Sequence, residues 1–126
     1  MEKILNFSIQ HTLTEDQLKA GLVNPELSGE EIRLLNRLLL VDPHADSLRE
    51  QCSQLVSFIA EVCRREGTDR FHLMGQGNLL VGVYLLKGEL RMFESTTERI
   101  STERMVDGAV QKTITFKFVK LREYGV

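Results

Sequence analysis

The pair Asp107-Gly108 is the feature that most limits how this chain can fold. It lies between two segments, 98–106 and 109–121, in which β-branched and aromatic residues are interleaved with polar ones. An Asp-Gly pair in this setting favours a tight type I′ turn, because both turn residues must take positive φ angles. The sequence therefore predicts a long β-hairpin near the C-terminus.

A two-residue turn also defines the predicted register of this hairpin. The pairs it predicts are Thr102 with Thr113, Glu103 with Lys112, and Glu98 with Lys117. Cross-strand pairs of opposite charge, or of two threonines, each stabilise a hairpin by roughly 0.2–1 kcal/mol. Because these pairs fall in register together, they support the predicted alignment.

The segment STTERISTER, residues 95–104, contains Thr-Glu-Arg twice, at 97–99 and at 102–104. The copies are an odd number of residues apart, so they point to opposite faces of a strand. Arg99 is predicted on the more apolar face, where a guanidinium needs an anionic partner. Arg104 is predicted on the polar face, in a solvated role. A bulge between 99 and 104 would reverse this assignment. The residues predicted to share the face of Arg99 are Thr97, Ser101, Met105, Val110, Ile114 and Phe116.

The remaining segments predict an α/β layered domain. Short apolar strands are predicted at 4–9 and 70–74. Helices are predicted to start at three capping boxes, Thr14 with Gln17, Ser28 with Glu31, and Ser47 with Glu50. The apolar run that follows Asn78 fits either a helix over 78–87 before a strand at 90–95, or a hairpin that turns at Lys87-Gly88. The helix is favoured, because Asn78 suits an N-cap and Gly88 suits a helix end.

Length and charge narrow the class of protein. A chain of 126 residues predicts one domain. Its net charge of −2 argues against binding duplex DNA, which requires a basic surface. The sequence contains no apolar run long enough for a membrane span and no recognisable export signal, so a cytoplasmic protein without membrane contact is expected. Cys52 and Cys63 would lie roughly 16 Å apart in one helix, too far for a disulfide, and no metal-binding spacing is present.

Two loops carry the candidate ligand-binding residues. The turn after the first strand holds Ser8, Gln10, His11, Thr12 and Thr14, and the segment GQGN, residues 75–78, follows the central strand. Both are expected at the carboxyl edge of an open α/β sheet, where ligands usually bind. Each also has a plain interpretation, since Thr12 and Thr14 can merely cap a helix and GQGN can be an ordinary turn. His44 and His72 are interpreted as structural.

Four segments together resemble a known family. ILNFSIQHTLTEDQ (4–17), GQGN, TTER (96–99) and FKFVKLREY (116–124) resemble, in order and spacing, small single-domain accessory proteins of type III CRISPR systems. These are related to the CARF domains, CRISPR-associated Rossmann folds. The resemblance extends over nearly the whole chain and implies a Rossmann-like (CARF-like) layered domain with a C-terminal β-hairpin.

The resemblance also implies a function. Its members look like ring nucleases, which bind a cyclic oligoadenylate across a homodimer and cleave it to end antiviral signalling. Cyclic tetra-adenylate is the expected ring. The ribose 2′-hydroxyl can supply the nucleophile, so no metal or other cofactor is expected. A non-catalytic cyclic oligoadenylate binding protein (a sponge or sensor) and a plain interaction domain remain alternatives.

On this resemblance, His11 is the expected proton donor or phosphate contact, and Arg99 is expected to stabilise charge in the transition state. The expected ligand-binding residues are Ser8, Gln10, Thr12, Gly75, Gln76, Gly77, Asn78, Thr96 and Thr97.

Overall fold

The computed structural model describes residues 3–8 and 12–126, and within them it contains five strands and four helices. The strands are β1 (Ile4–Asn6), β2 (Leu22–Val23), β3 (Arg70–His72), β4 (Arg91–Val106) and β5 (Ala109–Glu123). The helices are α1 (Glu15–Lys19), α2 (Gly29–Leu39), α3 (Arg49–Glu66) and α4 (Gly77–Leu86). The predicted α/β class is confirmed.

The strands form one mixed sheet in the order β2-β1-β3-β4-β5. The first four strands are parallel, and β5 is antiparallel to β4. β1 lies between β2, which follows it in sequence, and β3, which comes much later. The chain therefore changes direction across the sheet at β1. This is the topological switch point of an open α/β sheet.

The C-terminal hairpin has the predicted turn and register. Asp107 and Gly108 both have positive φ angles, 52° and 79°. Thr102 pairs with Thr113, Glu103 with Lys112, and Glu98 with Lys117. The Glu103 and Lys112 side chains approach to 3.6 Å.

One irregularity interrupts this hairpin. Thr96 pairs with Lys120 and Thr97 pairs with Phe118, so Val119 is an extra residue on β5 and forms a bulge. Beyond the bulge the hairpin extends past β3, whose last residue His72 pairs with Phe93. We call residues 97–118 the arm and the remainder the body. Residues 97–117 of the arm are exposed on both faces.

The arm confirms the predicted faces of the two arginines. Arg99 lies opposite Phe116, and Arg104 lies opposite Gln111 on the other face, with no bulge between them. The Arg104 guanidinium donates a hydrogen bond to the Gln111 side chain at 3.4 Å. Arg99 is exposed, however, so burial does not force it to have an anionic partner as the sequence suggested.

Two of the three predicted capping boxes are present. Thr14 with Gln17 and Ser28 with Glu31 each make both reciprocal hydrogen bonds. The prediction for Ser47 and Glu50 is wrong. Helix α3 begins at Arg49 with Leu48 as its N-cap, and the Ser47 hydroxyl accepts from the Arg49 N–H at 3.1 Å. Leu48 is partly buried against the core at this N-cap position.

The helical alternative for the apolar run after GQGN is confirmed. Helix α4 ends near Lys87, and Gly88 has the positive φ of 61° that follows a helix end. The strand expected at 90–95 is the first part of β4, which continues without interruption into the arm.

The main core lies on one face of the sheet. Helices α2, α3 and α4 cover the side chains that β1, β3 and β4 direct to that face. These are Leu5, Phe7, Phe71, Leu73 and Met92. A smaller cluster of Ile4, Leu22 and Phe93, with Leu13 and Leu121, lies on the other face.

The C-terminal segment is anchored to the body. The Glu123 carboxylate binds the Arg91 guanidinium at 2.8 Å, and this hydrogen bond is the main reason that the pKa of Glu123 lies below its usual value. Tyr124 packs edge-on against Tyr84 of α4, with ring centroids 5.7 Å apart. The segment therefore has a structural role at the start of β4.

The packing of α3 against α4 depends on Gly82. A Cβ atom at Gly82 would collide with the Cys52 sulfur. Alanine normally stabilises a helix by about 1 kcal/mol over glycine, whereas overpacking costs about 1–3 kcal/mol. We expect Gly82→Ala to lower the free energy of unfolding by about 1 kcal/mol, measured by urea denaturation.

Two further variants test whether the loss of stability comes from the collision with Cys52. Gly77 lies in the same helix and a Cβ there would meet nothing within 4 Å, so Gly77→Ala should cost no stability. Cys52→Ala removes the colliding sulfur and should make Gly82→Ala harmless in the double variant. Equal stability of the two glycine variants would contradict this account of the helix contact.

Candidate functional site

The carboxyl ends of β1 and β3 meet β4 near Phe93 at one edge of the sheet. Their main chains continue side by side past the strand ends, since the Phe7 N–H donates to the His72 carbonyl at 2.9 Å and the Leu73 N–H to the Phe93 carbonyl at 3.2 Å. This edge includes the β1/β3 switch point. In open α/β sheets the crevice at such a point is the usual place for a ligand.

Two of the predicted segments lie together at this edge. The Ser8 hydroxyl accepts a hydrogen bond at 2.9 Å from the N–H of Met74, the residue before Gly75. Ser8 therefore ties the end of β1 to the start of the loop that leads into α4. Thr12 is exposed. Gln10 and His11 lie outside the described residues.

The GQGN segment forms the entrance to α4. The prediction that Asn78 is the N-cap is wrong: Gln76 is the N-cap, without a capping hydrogen bond from its side chain, and Asn78 lies inside the first turn, where its side chain accepts from the Leu79 N–H at 2.9 Å. Neither Gly75 nor Gly77 has a positive φ angle, and a Cβ at either would meet no atom within 4 Å. The two glycines thus leave the main chain uncovered beside the N-terminus of α4. The N–H groups at a helix N-terminus favour anions.

The TTER segment divides at the bulge. The Thr96 hydroxyl donates to the Lys120 carbonyl at 3.2 Å, so it holds the two strands together where the arm begins. Thr97 and Arg99 point to the opposite face of β4 from Thr96, together with Ser95. Arg99 is four residues from Ser95, about 13 Å along the strand. Arg99 therefore lies on the same face of β4 as Ser95, but outside the edge where β1 and β3 end.

A buried polar cluster at this edge was not singled out from the sequence. Asn6 at the end of β1 and His72 at the end of β3 are buried, and Ser95 of β4 is half-buried. The His72 ring nitrogens lie 3.0 Å from Asn6 Oδ1 and 2.7 Å from Ser95 Oγ. His72 was interpreted as structural. The available signal was that Asn6 and His72 are polar residues inside otherwise apolar strands.

The described residues offer no alternative centre based on thiols or metal ligands. Among residues 3–8 and 12–126, no group of three or more His, Cys, Asp or Glu side chains is placed to hold a metal ion. Cys52 and Cys63 are free and buried. Burial, with smaller contributions from Asp69 and Glu66, raises the pKa of the Cys63 thiol to about 12, and burial also raises the pKa of Cys52. Neither thiol is therefore activated as a nucleophile.

Comparison with known proteins gives one match. A family model described as the uncharacterized protein MJ1673 family matches residues 2–122. The chain belongs to the MJ1673 family. The matched range includes the strands of the edge, the GQGN segment and the whole arm, so all of these lie in the region that defines the MJ1673 family. No curated protein and no solved structure matches the chain significantly. No helix in the described part of this family member is long and apolar enough to cross a membrane.

Proposed function

We propose that this protein is a ring nuclease that binds a cyclic oligoadenylate and opens it by metal-independent attack of a ribose 2′-hydroxyl, which switches off type III CRISPR signalling. One observation carries the proposal. Ser8 and the GQGN segment meet at the carboxyl edge at the β1/β3 switch point, and the face of β4 that carries Ser95, Thr97 and Arg99 extends outward from this edge. This is where an open α/β sheet binds nucleotides.

The strand order supports the Rossmann-like (CARF-like) part of the proposal. The order 2-1-3-4-5 is that of the flavodoxin-like class of doubly wound sheets, here with an antiparallel last strand. Three of the motifs on which the CARF resemblance rests lie on or beside strands of the edge. ILNFSIQHTLTEDQ contains β1 and the start of α1, GQGN opens α4, and TTER begins the arm.

The site has groups suited to cleaving an RNA phosphodiester. The nucleophile comes from the substrate, so the protein must hold the 2′-oxygen, phosphorus and 5′-oxygen in line and stabilise the developing charge. The N-terminus of α4 offers N–H groups to one phosphate. Thr97 and Arg99 offer a hydroxyl and a cation further along β4, on the opposite face of the sheet from α4, so a ring with several phosphates has to extend past the edge to reach them.

Turnover in the presence of EDTA tests the proposed activity. A large excess of cyclic tetra-adenylate over protein should be consumed completely, to linear oligoadenylates that end in a 2′,3′-cyclic phosphate. The six-membered ring, tested in parallel, reports ring preference. Product that stops at the amount of protein present, with the remaining ring protected, would instead identify a sponge or sensor.

A ring nuclease and a sponge or sensor both bind the ring. Thermal denaturation therefore distinguishes them from an interaction domain without a nucleotide ligand. A ring that binds only the folded state stabilises it by about 2.7 kcal/mol when present at 100 times its Kd. An unchanged melting temperature in the presence of rings of four or six adenylates would contradict the proposed ligand. We place this reaction in the cytoplasm, because the resemblance links the protein to cytoplasmic CRISPR signalling.

We also propose that the protein acts as a homodimer through its arms. One arm face carries a stripe of exposed apolar side chains, Met105, Val110, Ile114 and Phe116, which are 67%, 64%, 43% and 68% exposed. An apolar stripe of this kind indicates an interaction surface. A two-fold ring with four phosphates suits an isologous dimer in which each copy supplies the same residues.

The size of the arm indicates how the copies associate. The arm consists of ten residue pairs on two strands, so each of its faces measures about 34 by 10 Å. Two arms packed only on each other would bury roughly 700 Å², less than a stable dimer needs. Two reciprocal contacts, in which each arm packs on the other copy's body, would bury roughly 1,400 Å², within the usual range. The reciprocal arrangement is therefore the one we favour.

A further inference from the structure

The buried chain Asn6–His72–Ser95 contains groups that the proposed function has not used. The His72 side chain is 4% exposed and Asn6 is fully buried. Nδ1 of His72 lies 3.0 Å from Asn6 Oδ1, and Nε2 lies 2.7 Å from Ser95 Oγ. The three residues come from the adjacent strands β1, β3 and β4, so this series of hydrogen-bonded side chains crosses the switch point.

Neighbouring hydrogen bonds define the proton positions in this chain. The Ser8 N–H donates to Asn6 Oδ1 at 3.0 Å, and the Asn6 amide donates to the Asn24 side-chain oxygen at 2.9 Å. Asn6 Oδ1 carries no proton and can only accept from His72, so we assign the imidazole proton to Nδ1, which also lies 3.4 Å from Ser8 Oγ. In the neutral ring Nε2 then carries a lone pair, and the Ser95 hydroxyl donates to it.

The location of Ser95 gives this chain access to a ligand. Ser95 is half-buried, whereas the two groups behind it are buried. It lies on the face of β4 that also carries Thr97 and Arg99. A hydroxyl bound to a base, with the base oriented by a third group, is the arrangement that activates serine hydroxyls in enzymes.

We propose that Asn6 and His72 make the Ser95 hydroxyl an activated group and that Ser95 is the proton acceptor in ring opening. The second part rests on the proposed function. The Ser95 oxygen takes the proton of the attacking 2′-hydroxyl while its own proton moves to His72 Nε2. The 2′-oxygen–phosphorus bond forms and the 5′-oxygen–phosphorus bond breaks. The imidazolium, held through Nδ1–H by Asn6, then loses its proton to solvent, and solvent protonates the 5′-oxygen.

These steps balance without any further reagent. The linear product is an isomer of the ring, with a 2′,3′-cyclic phosphate at one end and a 5′-hydroxyl at the other. Ser95 is the catalytic residue in this scheme because it touches the reacting hydroxyl. His72 and Asn6 act through it and are positioning residues.

The first test requires no knowledge of the substrate. A fluorophosphonate probe should label Ser95, since its oxygen can attack phosphorus, release fluoride and pass its proton to His72. A general base contributes typically 10²–10⁴-fold, so His72→Gln should slow labelling by at least about 100-fold. Ser101→Ala is the matched control, because Ser101 is an exposed serine on the same face of β4 and should leave labelling of Ser95 unchanged. Labelling that is absent, or equally fast in His72→Gln, would overturn the activated hydroxyl.

The second test uses the ring. Ser95→Ala should slow single-turnover cleavage of cyclic tetra-adenylate by at least about 100-fold while the Kd for the ring changes little. Asn6→Ala should slow cleavage at constant Kd, and Asn6→Asp, which keeps an acceptor for Nδ1–H, should restore most of the rate. A merely structural Ser95 would give normal rates in Ser95→Ala.

The two tests separate this inference from the proposed function. Labelling of Ser95 without turnover of any ring would keep the activated hydroxyl and overturn the ring nuclease. Turnover that persists in Ser95→Ala would keep the ring nuclease and overturn the role of Ser95.

Discussion

Arg99→Ala is expected to lower the rate of cyclic tetra-adenylate cleavage by at least about 100-fold, the usual cost of removing one group that stabilises developing charge. Arg99 is exposed on the face of β4 that also carries Ser95 and Thr97. It has no packing role in the body, so this loss should come from the reaction and not from unfolding. Single-turnover kinetics with the protein in excess measures it directly.

Arg104→Ala is the matched control for this prediction. Arg104 belongs to the second Thr-Glu-Arg copy, is equally exposed, and differs from Arg99 mainly in pointing to the opposite face. Its contact with Gln111 is a surface hydrogen bond, so its loss should change the cleavage rate by no more than about threefold. Equal losses in the two variants would contradict the role assigned to the arm face. Both proteins should keep the oligomeric state of the parent protein.

Phe116→Asp is expected to weaken dimerisation by at least about 100-fold. Burial of a phenylalanine side chain contributes roughly 1.5–3 kcal/mol, and an aspartate at this position, opposite Arg99, would replace that apolar contact with a charge that must be desolvated. A loss of 2.8 kcal/mol corresponds to about 100-fold in Kd. Sedimentation velocity over a range of protein concentrations measures this change.

Thr115→Asp supplies the comparison for the dimer. Thr115 is the preceding residue of β5, is also exposed, and lies on the opposite face with Ile100 and Arg104. The same charge added there should leave the Kd of the dimer unchanged. Dissociation by both substitutions would show that added charge destabilises the arm in general, and a Phe116→Asp protein that stays dimeric would place the interface elsewhere.

The parts of the fold that depend on neighbouring residues could be predicted from the sequence. Asp107-Gly108 and its flanking charge pairs specify the hairpin because all of the interacting groups lie close in sequence. The bulge at Val119 could not be predicted in this way. It lies where the arm leaves the body, and no glycine or turn residue marks the position.

Local signals were insufficient for the elements that were missed. Strand β2 has only two residues, which is too short for any periodic pattern. The third capping box has the right residues, but the Ser47 hydroxyl binds the nearer N–H of Arg49, and the N-cap is Leu48, which packs against the core. For β2 the local signal was absent, and for α3 it did not distinguish two adjacent starting residues.

The candidate site was partly predictable for the same reason. Ser8 and GQGN could be assigned to one edge because parallel strands end together. The hydrogen bonds of His72 could not be assigned, since they require the strand order that brings β1 and β4 to either side of β3. Asn6, His72 and Ser95 are far apart in sequence, and the polar character of Asn6 and His72 within apolar strands does not by itself show that the three side chains meet.

The arm also has a consequence for how the chain folds. Its pairing begins at Val106 and Ala109 and extends outward, so every step joins residues already held near each other, and a hairpin of this kind forms within about 1–10 μs. The edge at β1 and β3 instead requires Leu5 to meet Phe71, which needs closure of a long loop and is slower. The arm should therefore form and dissolve repeatedly while the body is still unfolded. The last two strands would then pair first, and the pairing of β1 with β3, which joins the segments most distant in sequence, would come last.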